Sequence, residues 1–167
     1  MRIALAHPDQ YAEIGACTVS AYAHFHASTP AYRTRLADAA ARAAQAELWV
    51  ATDADGGVLG SVTRCPPGSP WREIAREGEG EFRMLAVAPA AQGCGVGAAL
   101  VRHVVDLCRA DGDHAIVLST SGQMTIAQGL YRRLGFARLP ERDWSPEPEV
   151  DLMAFALPLH PEPAGFN

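Results

Sequence analysis

The sequence predicts a mixed α/β fold, in which one sheet carries helices on both of its sides. Short apolar runs with the two-residue period of strands alternate along the chain with stretches that have the spacing of amphipathic helices. A glycine cluster, GCGVG at residues 93–97, lies between a strand-like run and a helix-like run. The chain has 167 residues, of which 49% are apolar and 20% charged, and this suits one domain with one core.

The first part of the chain predicts one strand followed by two helices. Residues 1–6 alternate between apolar and polar side chains, which indicates a short strand. A Pro-Asp pair opens a helix that extends over residues 8–25. Ser-Thr-Pro at residues 28–30 has the pattern of a capped helix start, and this second helix continues through residues 32–44.

The middle of the chain predicts a hairpin and then a long loop. Residues 47–52 and 58–64 are strands, joined by an Asp- and Gly-rich turn at residues 53–57. Residues 65–80 form a loop rich in Pro and Gly, and loops of this length in compact domains often carry function. Three glutamates make the loop acidic and suit a cationic substrate: Glu73, Glu77 and Glu79.

The remaining elements alternate strand and helix before two closing strands. Residues 81–87 are a strand, and the helix after the glycines ends at Gly112. A buried strand, a helix and two further strands follow, at residues 115–119, 124–134, 136–139 and 150–157. We therefore expect a single domain over residues 1–157 and a C-terminal extension, residues 158–167, without a fold of its own.

Composition and charge exclude several classes of function. The net charge is −5 and the sequence has no basic stripe, so we expect no nucleic-acid partner. The four cysteines lack the spacing of a zinc site, and no metal is expected. The sequence contains no stretch of about 18 apolar residues that would span a membrane, and its start does not resemble a secretion signal. We expect free thiols in a reducing compartment, and hence a cytoplasmic protein without a membrane partner.

The glycine stretch allows more than one interpretation. A tight turn without a ligand is one, although three alternate glycines remove side chains from a whole stretch of backbone, which suits an anion at the start of a helix. Residues 93–98 also fit GxGxxA, the dinucleotide-binding fingerprint. The charged residues of the preceding strand, the five residues between strand and glycines, and the lack of an acid after the next strand count against that site. The lysine of a Walker loop is absent as well.

The residues around the glycines resemble a known family. Gln92-x-x-Gly95-x-Gly97 resembles the pyrophosphate-binding signature of the GNAT superfamily of N-acetyltransferases, and it follows the strand end LAVAP typical of that family. A second family signature resembles residues 127–136, AQGLYRRLGF, one helix and one strand later. The resemblance implies a GNAT-like fold with a central mixed, mostly antiparallel sheet of six to seven strands and about four helices on its two faces.

The resemblance implies acetyl-CoA as the co-substrate. By position, the backbone N–H groups of residues 94–98 would hold the pyrophosphate, with Gln92 and Gly93 shaping the entry to the loop. Residues 85–87 would pair with the pantetheine arm through a splay in the sheet, and an N–H group near Leu85 or Ala86 would polarise the thioester carbonyl. The predicted cofactor-binding residues are Leu85, Ala86, Val87, Gln92, Gly93, Cys94, Gly95, Val96, Gly97 and Ala98.

Two catalytic residues follow from the same resemblance. Tyr131 occupies the family position of the general acid that protonates the departing CoA thiolate, and packing under the sheet is the alternative. Glu81 matches the family position of the general base; the alternatives are a solvent-facing carboxylate, Glu79 as a substitute, or a water chain. Alternation places Arg83 on the face of Glu81, where it would neutralise the carboxylate. Met124 stands where many members carry Asn, which removes an expected side-chain contact to the pantetheine or a turn.

The predicted function is therefore an N-acetyltransferase that moves the acetyl group of acetyl-CoA to a primary amine of a small molecule or peptide, by direct transfer through a ternary complex. A non-catalytic acyl-CoA-binding or regulatory module on the same fold, and a nucleotide-binding domain outside the family, stay open as alternatives. Family habit allows a homodimer through the last strands and the tail. Candidates for the acceptor pocket, with surface or core positions as the alternative, are His24, His26, Tyr22, Phe25, Trp71 and Trp144.

Overall fold

The computed structural model describes residues 1–23, 25 and 29–159. The strands are β1 (Arg2–Leu5), β2 (Glu47–Thr52), β3 (Val58–Arg64), β4 (Glu79–Val87), β5 (Ala115–Ser121), β6 (Ala137–Arg138), β7 (Trp144–Glu147) and β8 (Val150–Pro158). The α-helices are α1 (Tyr11–Tyr22), α2 (Pro30–Ala37), α3 (Ala39–Gln45), α4 (Val96–Ala110) and α5 (Thr125–Arg133). One-turn 3-10 helices lie at Pro8–Gln10, Pro89–Ala91 and Pro140–Arg142.

All the strands belong to one mixed sheet, which confirms the predicted fold class. The strand order is β1-β2-β3-β4-β5-β8-β6, and β7 pairs with β8. The pair of β4 and β5 is parallel, whereas every other neighbouring pair in the described part of the chain is antiparallel. The sheet has eight strands rather than six to seven, because Trp144–Glu147 pairs with the outer edge of β8 from within a Pro-rich connection that alternation does not reveal.

The predicted second helix is two helices. The chain leaves the helical conformation at Asp38, whose side chain accepts a hydrogen bond from the N–H group of Ala41 at 2.9 Å and so caps α3. Thr29 caps α2 in the same way, accepting from the N–H group of Tyr32 at 3.2 Å. The propensity pattern is continuous across residues 32–44, so the break depends on a capping contact rather than on periodicity.

The sheet is covered on both faces, as predicted. The helices α4 and α5 pack on one face over the larger apolar core, and α1, α2 and α3 pack on the other over two smaller clusters. Wholly or almost wholly buried residues fill these layers: Leu100, Val101 and Val104 from α4, Phe82 and Ile116 from the sheet, and Ile14 and Leu48 on the opposite face. Because both faces of the sheet are covered, most side chains of β4 and β5 that are not charged or hydroxylated are apolar.

The sheet opens between β4 and β5. These strands pair over three residues, Glu79–Glu81 against Ala115–Val117, while β4 continues along β3 and β5 continues along β8. A β-bulge accompanies the divergence, since two residues of β4, Met84 and Leu85, oppose Val62 of β3, and Met84 has a φ of 51°. From Phe82 onward the edge of β4 that faces β5 is therefore without a strand partner, as the predicted splay requires.

A buried arginine ties together the helices that face the opening. Arg42 is fully buried and donates to the hydroxyls of Thr18 and Thr63 at 3.2 and 3.3 Å and to the carbonyl of Leu36 at 3.1 Å. Burial lowers the pKa of Arg42 to about 10. These bonds join α1, the end of α2 and β3, and so fix the helical wall of the site described next.

The C-terminal boundary is described in part. β8 ends at Pro158, and the N–H group of Leu159 donates to the carbonyl of His114 at 2.9 Å. Residues 160–167 lie outside the described residues, so the division into a domain at 1–157 and an extension at 158–167 stays a prediction.

Candidate active site

The glycine stretch turns the chain from β4 into α4. Gly93 and Gly95 have φ angles of 76° and 82°, in the left-handed region where residues with a Cβ atom are strained, and Gly95 is the N-cap of α4. A Cβ atom added at either position would meet no atom within 4 Å. Backbone conformation thus requires glycine here, and the loop faces open space rather than protein.

The start of α4 presents backbone donors towards this space. The N–H groups in the first turn of a helix lack intrahelical acceptors, and here they belong to Val96, Gly97 and Ala98. The helix dipole adds partial positive charge at the same place, which suits an anion such as a phosphate. The N–H group of Cys94 instead donates to the carbonyl of Ala91 at 3.3 Å, and its thiol is exposed.

A cavity of about 630 Å³ extends from the glycine loop along β4 and α5. Eight of the ten predicted cofactor-binding residues line it: Leu85, Val87, Gln92, Gly93, Gly95, Val96, Gly97 and Ala98. Ala86 points to the opposite face, where it is buried with α1, because neighbouring strand residues alternate. A Cβ atom at Gly97 would lie 3.2 Å from Leu130, so glycine there also lets α5 approach closely.

A second, smaller cavity of about 70 Å³ lies at the opening of the sheet. Tyr22, Phe25 and Tyr32 form one wall from the helical face, and Ser119, Thr120 and Ser121 of β5 form another. The hydroxyl of Thr120 is buried and has no hydrogen-bond partner among the described residues. The two cavities share Phe25, Leu85 and Met124 in their linings, so they adjoin where β4 and β5 part.

Tyr131 of α5 borders the second cavity, and its chain neighbour Leu130 lines the larger one. Tyr131 is 6% exposed and packs its ring about 6 Å from the rings of Phe82, Phe136 and Phe155. Burial raises the pKa of the phenol, so Tyr131 keeps its proton at neutral pH. Gln128 fixes α5 against the end of β5, because its amide donates to the carbonyls of Ser121 and Gly122 at 3.1 Å. Tyr131 therefore packs under the sheet, as the alternative held, and also reaches the cavity.

The environment of Glu81 differs from the expected one. Glu81 is 1% exposed, and its carboxylate accepts hydrogen bonds from three successive backbone N–H groups, those of Glu73, Ile74 and Ala75, at 3.0–3.4 Å. The expected pairing with Arg83 is corrected by the structure: Arg83 lies 2.6 Å from the carboxylate of Glu73 and donates to the carbonyl of Trp71 at 3.0 Å. The folded loop brings Glu73 between them, which strand alternation alone does not reveal.

The other candidates divide between the cavity and its surroundings. Tyr22 and Phe25 line the second cavity, whereas Trp71 is buried in the core and donates to the side chain of Gln45 at 3.0 Å. Trp144 donates to the hydroxyl of Ser119 at 3.0 Å and so supports the rim. Glu79 pairs with Arg142 away from the cavity, at 2.6 and 2.8 Å. His24 and His26 lie outside the described residues.

Sequence reasoning missed the position of Glu73, Tyr32 and Thr120 in the cavity. Glu73 counted as one of three acidic loop residues, and nothing local distinguishes it from Glu77, which is exposed. Thr120 follows the residues predicted as a buried strand, and the extension of β5 to Ser121 is what carries it into the opening.

Two further searches of the structure bear on ligands and location. Among residues 1–23, 25 and 29–159, no three potential metal-binding side chains of the His, Cys, Asp or Glu type cluster together. Within the same described residues, every helix is too short or too polar to cross a membrane.

A sheet that opens beyond a short parallel pairing, beside a helix start turned by glycines, is the architecture of an acyl-CoA-binding transferase. Comparison with models of known families agrees: residues 12–136, about three quarters of the chain, match the Acetyltransferase (GNAT) family. The chain belongs to this family, as its two sequence signatures predicted.

Similar proteins of known name are mycothiol acetyltransferases. The protein of Cellulomonas flavigena is 34% identical over 117 residues, which cover 62% of this chain and 32% of that protein. The protein of Pseudarthrobacter chlorophenolicus is 41% identical over 90 residues, 53% of this chain and 27% of that one. The matching region thus spans about a third of the length of these relatives.

Solved structures share the fold along nearly the whole chain. A GNAT acetyltransferase of Staphylococcus aureus Mu50 has a TM-score of 0.75 at 16% identity, over 95% of this chain and 99% of that one. The protein yncA of Salmonella typhimurium, solved with its cofactor acetyl-CoA, has a TM-score of 0.68 at 26% identity, over 99% and 98%. A GNAT acetyltransferase of Brucella melitensis in complex with acetyl-CoA has a TM-score of 0.62 at 27% identity, over 96% and 88%.

Proposed function

We propose that this protein is an N-acetyltransferase that moves the acetyl group of acetyl-CoA to a primary amine of a small molecule or peptide, by direct transfer. The observation that carries the proposal is the meeting of two cavities at the opening of the sheet, where Tyr131 lines the smaller cavity and its chain neighbour Leu130 lines the larger one. One cavity has the size and anion-binding loop that a CoA ester needs, and the other offers a carboxylate, Glu73, to an amine. The acetyl-CoA complexes of the Salmonella and Brucella proteins support this choice of co-substrate.

The residues of the first cavity fit acetyl-CoA. The N–H groups of Gly95, Val96, Gly97 and Ala98 would bind the pyrophosphate, which needs several convergent donors and no side chain in the way. The open edge of β4 at residues 85–87 would hydrogen-bond the amides of the pantetheine arm, in the manner of an added strand. When bound, acetyl-CoA supplies a thioester whose carbonyl carbon accepts the amine.

The chain's own groups would then handle charge and protons. A backbone N–H group at the bulge, near Leu85 or Ala86, would stabilise the negative charge that develops on the carbonyl oxygen. Tyr131 would donate its hydroxyl proton to the sulfur that departs as a thiolate, and its burial keeps the phenol protonated at neutral pH. Ordinary amines are protonated at neutral pH, so a carboxylate or water must first remove a proton.

Glu81 stays a predicted base, and its contacts support a different role. Its carboxylate already accepts hydrogen bonds from three N–H groups of the loop, and these contacts leave it little access to a substrate. The same contacts explain why an acid is needed here, because amide groups of a neutral side chain could not accept all three bonds.

A turnover screen tests the proposed function. We expect acetyl-CoA at 100 times its Kd to stabilise the protein by about 2.7 kcal/mol, and NAD or ATP not to do so. A panel of amines, amino acids, aminoglycosides, peptides and the acceptor of mycothiol acetyltransferase should then release free CoA thiol with at least one member. Protection by acetyl-CoA without turnover on any acceptor would favour the non-catalytic acyl-CoA-binding module, and protection by NAD or ATP alone would favour a nucleotide-binding domain. The homodimer and the cytoplasmic location stay predictions.

A further inference from the structure

Glu73 is a mostly buried carboxylate that faces a cavity and pairs with one arginine. Its side chain is 17% exposed and lines the second cavity together with Tyr131. Oε1 lies 2.6 Å from Nη2 of Arg83, whereas Oε2 accepts no hydrogen bond from the described residues. A mostly buried carboxylate that faces a cavity can bind a donor placed there, and an ammonium group is such a donor.

The loop that carries Glu73 is held rigidly by contacts that the proposed chemistry does not use. Glu81 binds the N–H groups of Glu73, Ile74 and Ala75, which fixes the backbone at the residue concerned. Arg72 adds bonds to the carbonyls of Cys65, Arg76 and Glu79 at 3.2, 2.8 and 2.6 Å. These contacts restrict the movement of Glu73, which positioning of a proton acceptor requires.

We propose that Glu73 binds the ammonium group of the acceptor and takes its proton, and that Glu81 is a positioning residue that holds the Glu73 loop. This inference rests on the proposed function. The ammonium group gives one proton to Glu73, and the amine nitrogen then forms a bond to the carbonyl carbon as the carbon–sulfur bond breaks. The sulfur takes the proton of Tyr131, and the new amide nitrogen returns its surplus proton to the phenolate. The proton on Glu73 passes to solvent, so acetyl-CoA and an ammonium ion yield an amide, CoA thiol and one proton.

The groups around Glu73 suit this exchange. Arg83, Arg35 and Glu81 are its charged neighbours, and Tyr22, Tyr32 and Tyr131 are the titratable groups that line the same cavity. Burial raises the pKa of Glu73 and Glu81 adds to the rise, while Arg83 and Arg35 oppose it, so the carboxylate is a stronger base than an exposed glutamate.

The test compares three variants, Glu73→Gln, Glu77→Gln and Glu81→Gln, in assays with an acceptor that the screen has identified. We expect Glu73→Gln to lower kcat/KM for the amine about 100-fold at pH 7, with the affinity for acetyl-CoA unchanged within about twofold. The residual rate of Glu73→Gln should increase about tenfold per pH unit towards the pKa of the amine, because only the free amine then reacts. In the wild type the rate should fall at low pH as Glu73 takes up a proton, and this acidic limb of the pH profile should be absent from Glu73→Gln. Glu77→Gln, on the same loop but exposed, should behave as the wild type.

Glu81→Gln separates positioning from catalysis. We expect it to lower the melting temperature and kcat while the acidic limb of the pH profile stays in place. If Glu73→Gln matches Glu77→Gln in rate and profile, or if Glu81→Gln removes the limb while Glu73→Gln keeps it, the assignment of Glu73 is refuted and the acetyltransferase activity stands. If the wild-type protein acetylates no acceptor, the proposed function fails and takes this inference with it.

Discussion

At the residue scale, the proposed proton donor is the buried phenol of Tyr131. Tyr131 has an ordinary solution pKa near 10, and burial among Phe82, Phe136 and Phe155 raises it. The neutral form thus persists over the whole physiological pH range, so in the proposed mechanism the phenol would still carry its proton when the sulfur departs. In this scheme the hydroxyl contributes little to acetyl-CoA binding, so its removal should change the rate of transfer and leave the affinity for acetyl-CoA nearly unchanged.

Replacement of Tyr131 by Phe removes the hydroxyl and keeps the ring packing. We expect kcat to fall at least about 100-fold, with the Kd for acetyl-CoA within about twofold of wild type, as measured by steady-state kinetics and calorimetry. Because the ring contacts remain, the melting temperature should change little. Equal losses in rate and affinity would contradict the acid role and favour a packing role.

At the scale of elements, the glycine loop combines an unusual backbone with an open surface. Gly95 and Gly56 form a matched pair, since their φ angles are 82° and 90° and an added Cβ atom would meet nothing within 4 Å at either position. Gly95 starts α4 at the large cavity, whereas Gly56 lies in the turn between β2 and β3. Backbone strain is therefore alike in the two places, and the proposed ligand would bind at only one of them.

Alanine at these two glycines separates strain from binding. Gly95→Ala and Gly56→Ala should each lower the free energy of unfolding by about 1–2 kcal/mol, because each forces a left-handed conformation on a residue with a Cβ atom. Gly95→Ala should also weaken acetyl-CoA binding by on the order of tenfold, about 1.4 kcal/mol, by displacing the N–H donors. Urea denaturation and calorimetry measure the two effects. Equal affinity in both variants would show that the loop does not hold the ligand.

At the scale of the whole molecule, one ion pair joins segments far apart in the sequence. Glu79 at the start of β4 accepts two bonds from Arg142, beyond β6, at 2.6 and 2.8 Å, and a third from the N–H group of Arg76 at 2.8 Å. Burial raises the pKa of Glu79, but the bonds from Arg142 and Arg76 outweigh burial and lower it. The pair links the loop of Glu73 to the C-terminal part of the sheet.

The loss of this pair should depend on pH. Glu79→Gln should lower the free energy of unfolding by about 2–4 kcal/mol at pH 7, since Arg142 stays mostly buried without its partner. A lowered folded pKa means that this stability is present above the unfolded pKa, about 4.3, and is lost as the pH falls through the folded pKa. In denaturation experiments, the difference in the free energy of unfolding between Glu79→Gln and the wild type should therefore become smaller as the pH is lowered from 7.

An exposed pair provides the control for this experiment. On α4, Nη1 of Arg109 lies 3.0 Å from Oδ1 of Asp106, and the side chains of Asp106 and Arg109 are 73% and 49% exposed. Asp106→Asn should cost less than about 1 kcal/mol at any pH. A similar loss in both variants, or a loss for Glu79→Gln that does not become smaller as the pH falls, would count against a structural link through the buried pair.

Most of the elements could be predicted because their causes are local. Alternation located β2 and β3 at their observed bounds, and the spacing of apolar residues located α4. The strand Trp144–Glu147 and the break at Asp38 escaped prediction, since one depends on pairing with an edge and the other on a single capping bond. Of the site, the glycine loop and Tyr131 were within reach, because motif spacing fixes their place relative to a strand and a helix.

The sequence by itself determined the family and the fold class, since these follow from periodicity and from two motifs at a fixed separation. The tertiary structure alone decided which carboxylate faces the cavity. Glu81 lies on the predicted strand, yet the folding of residues 65–78 over it turns its charge inward and places Glu73 beside Arg83. Contacts between a loop and a strand depend on the closing of the whole chain, and no local pattern encodes them.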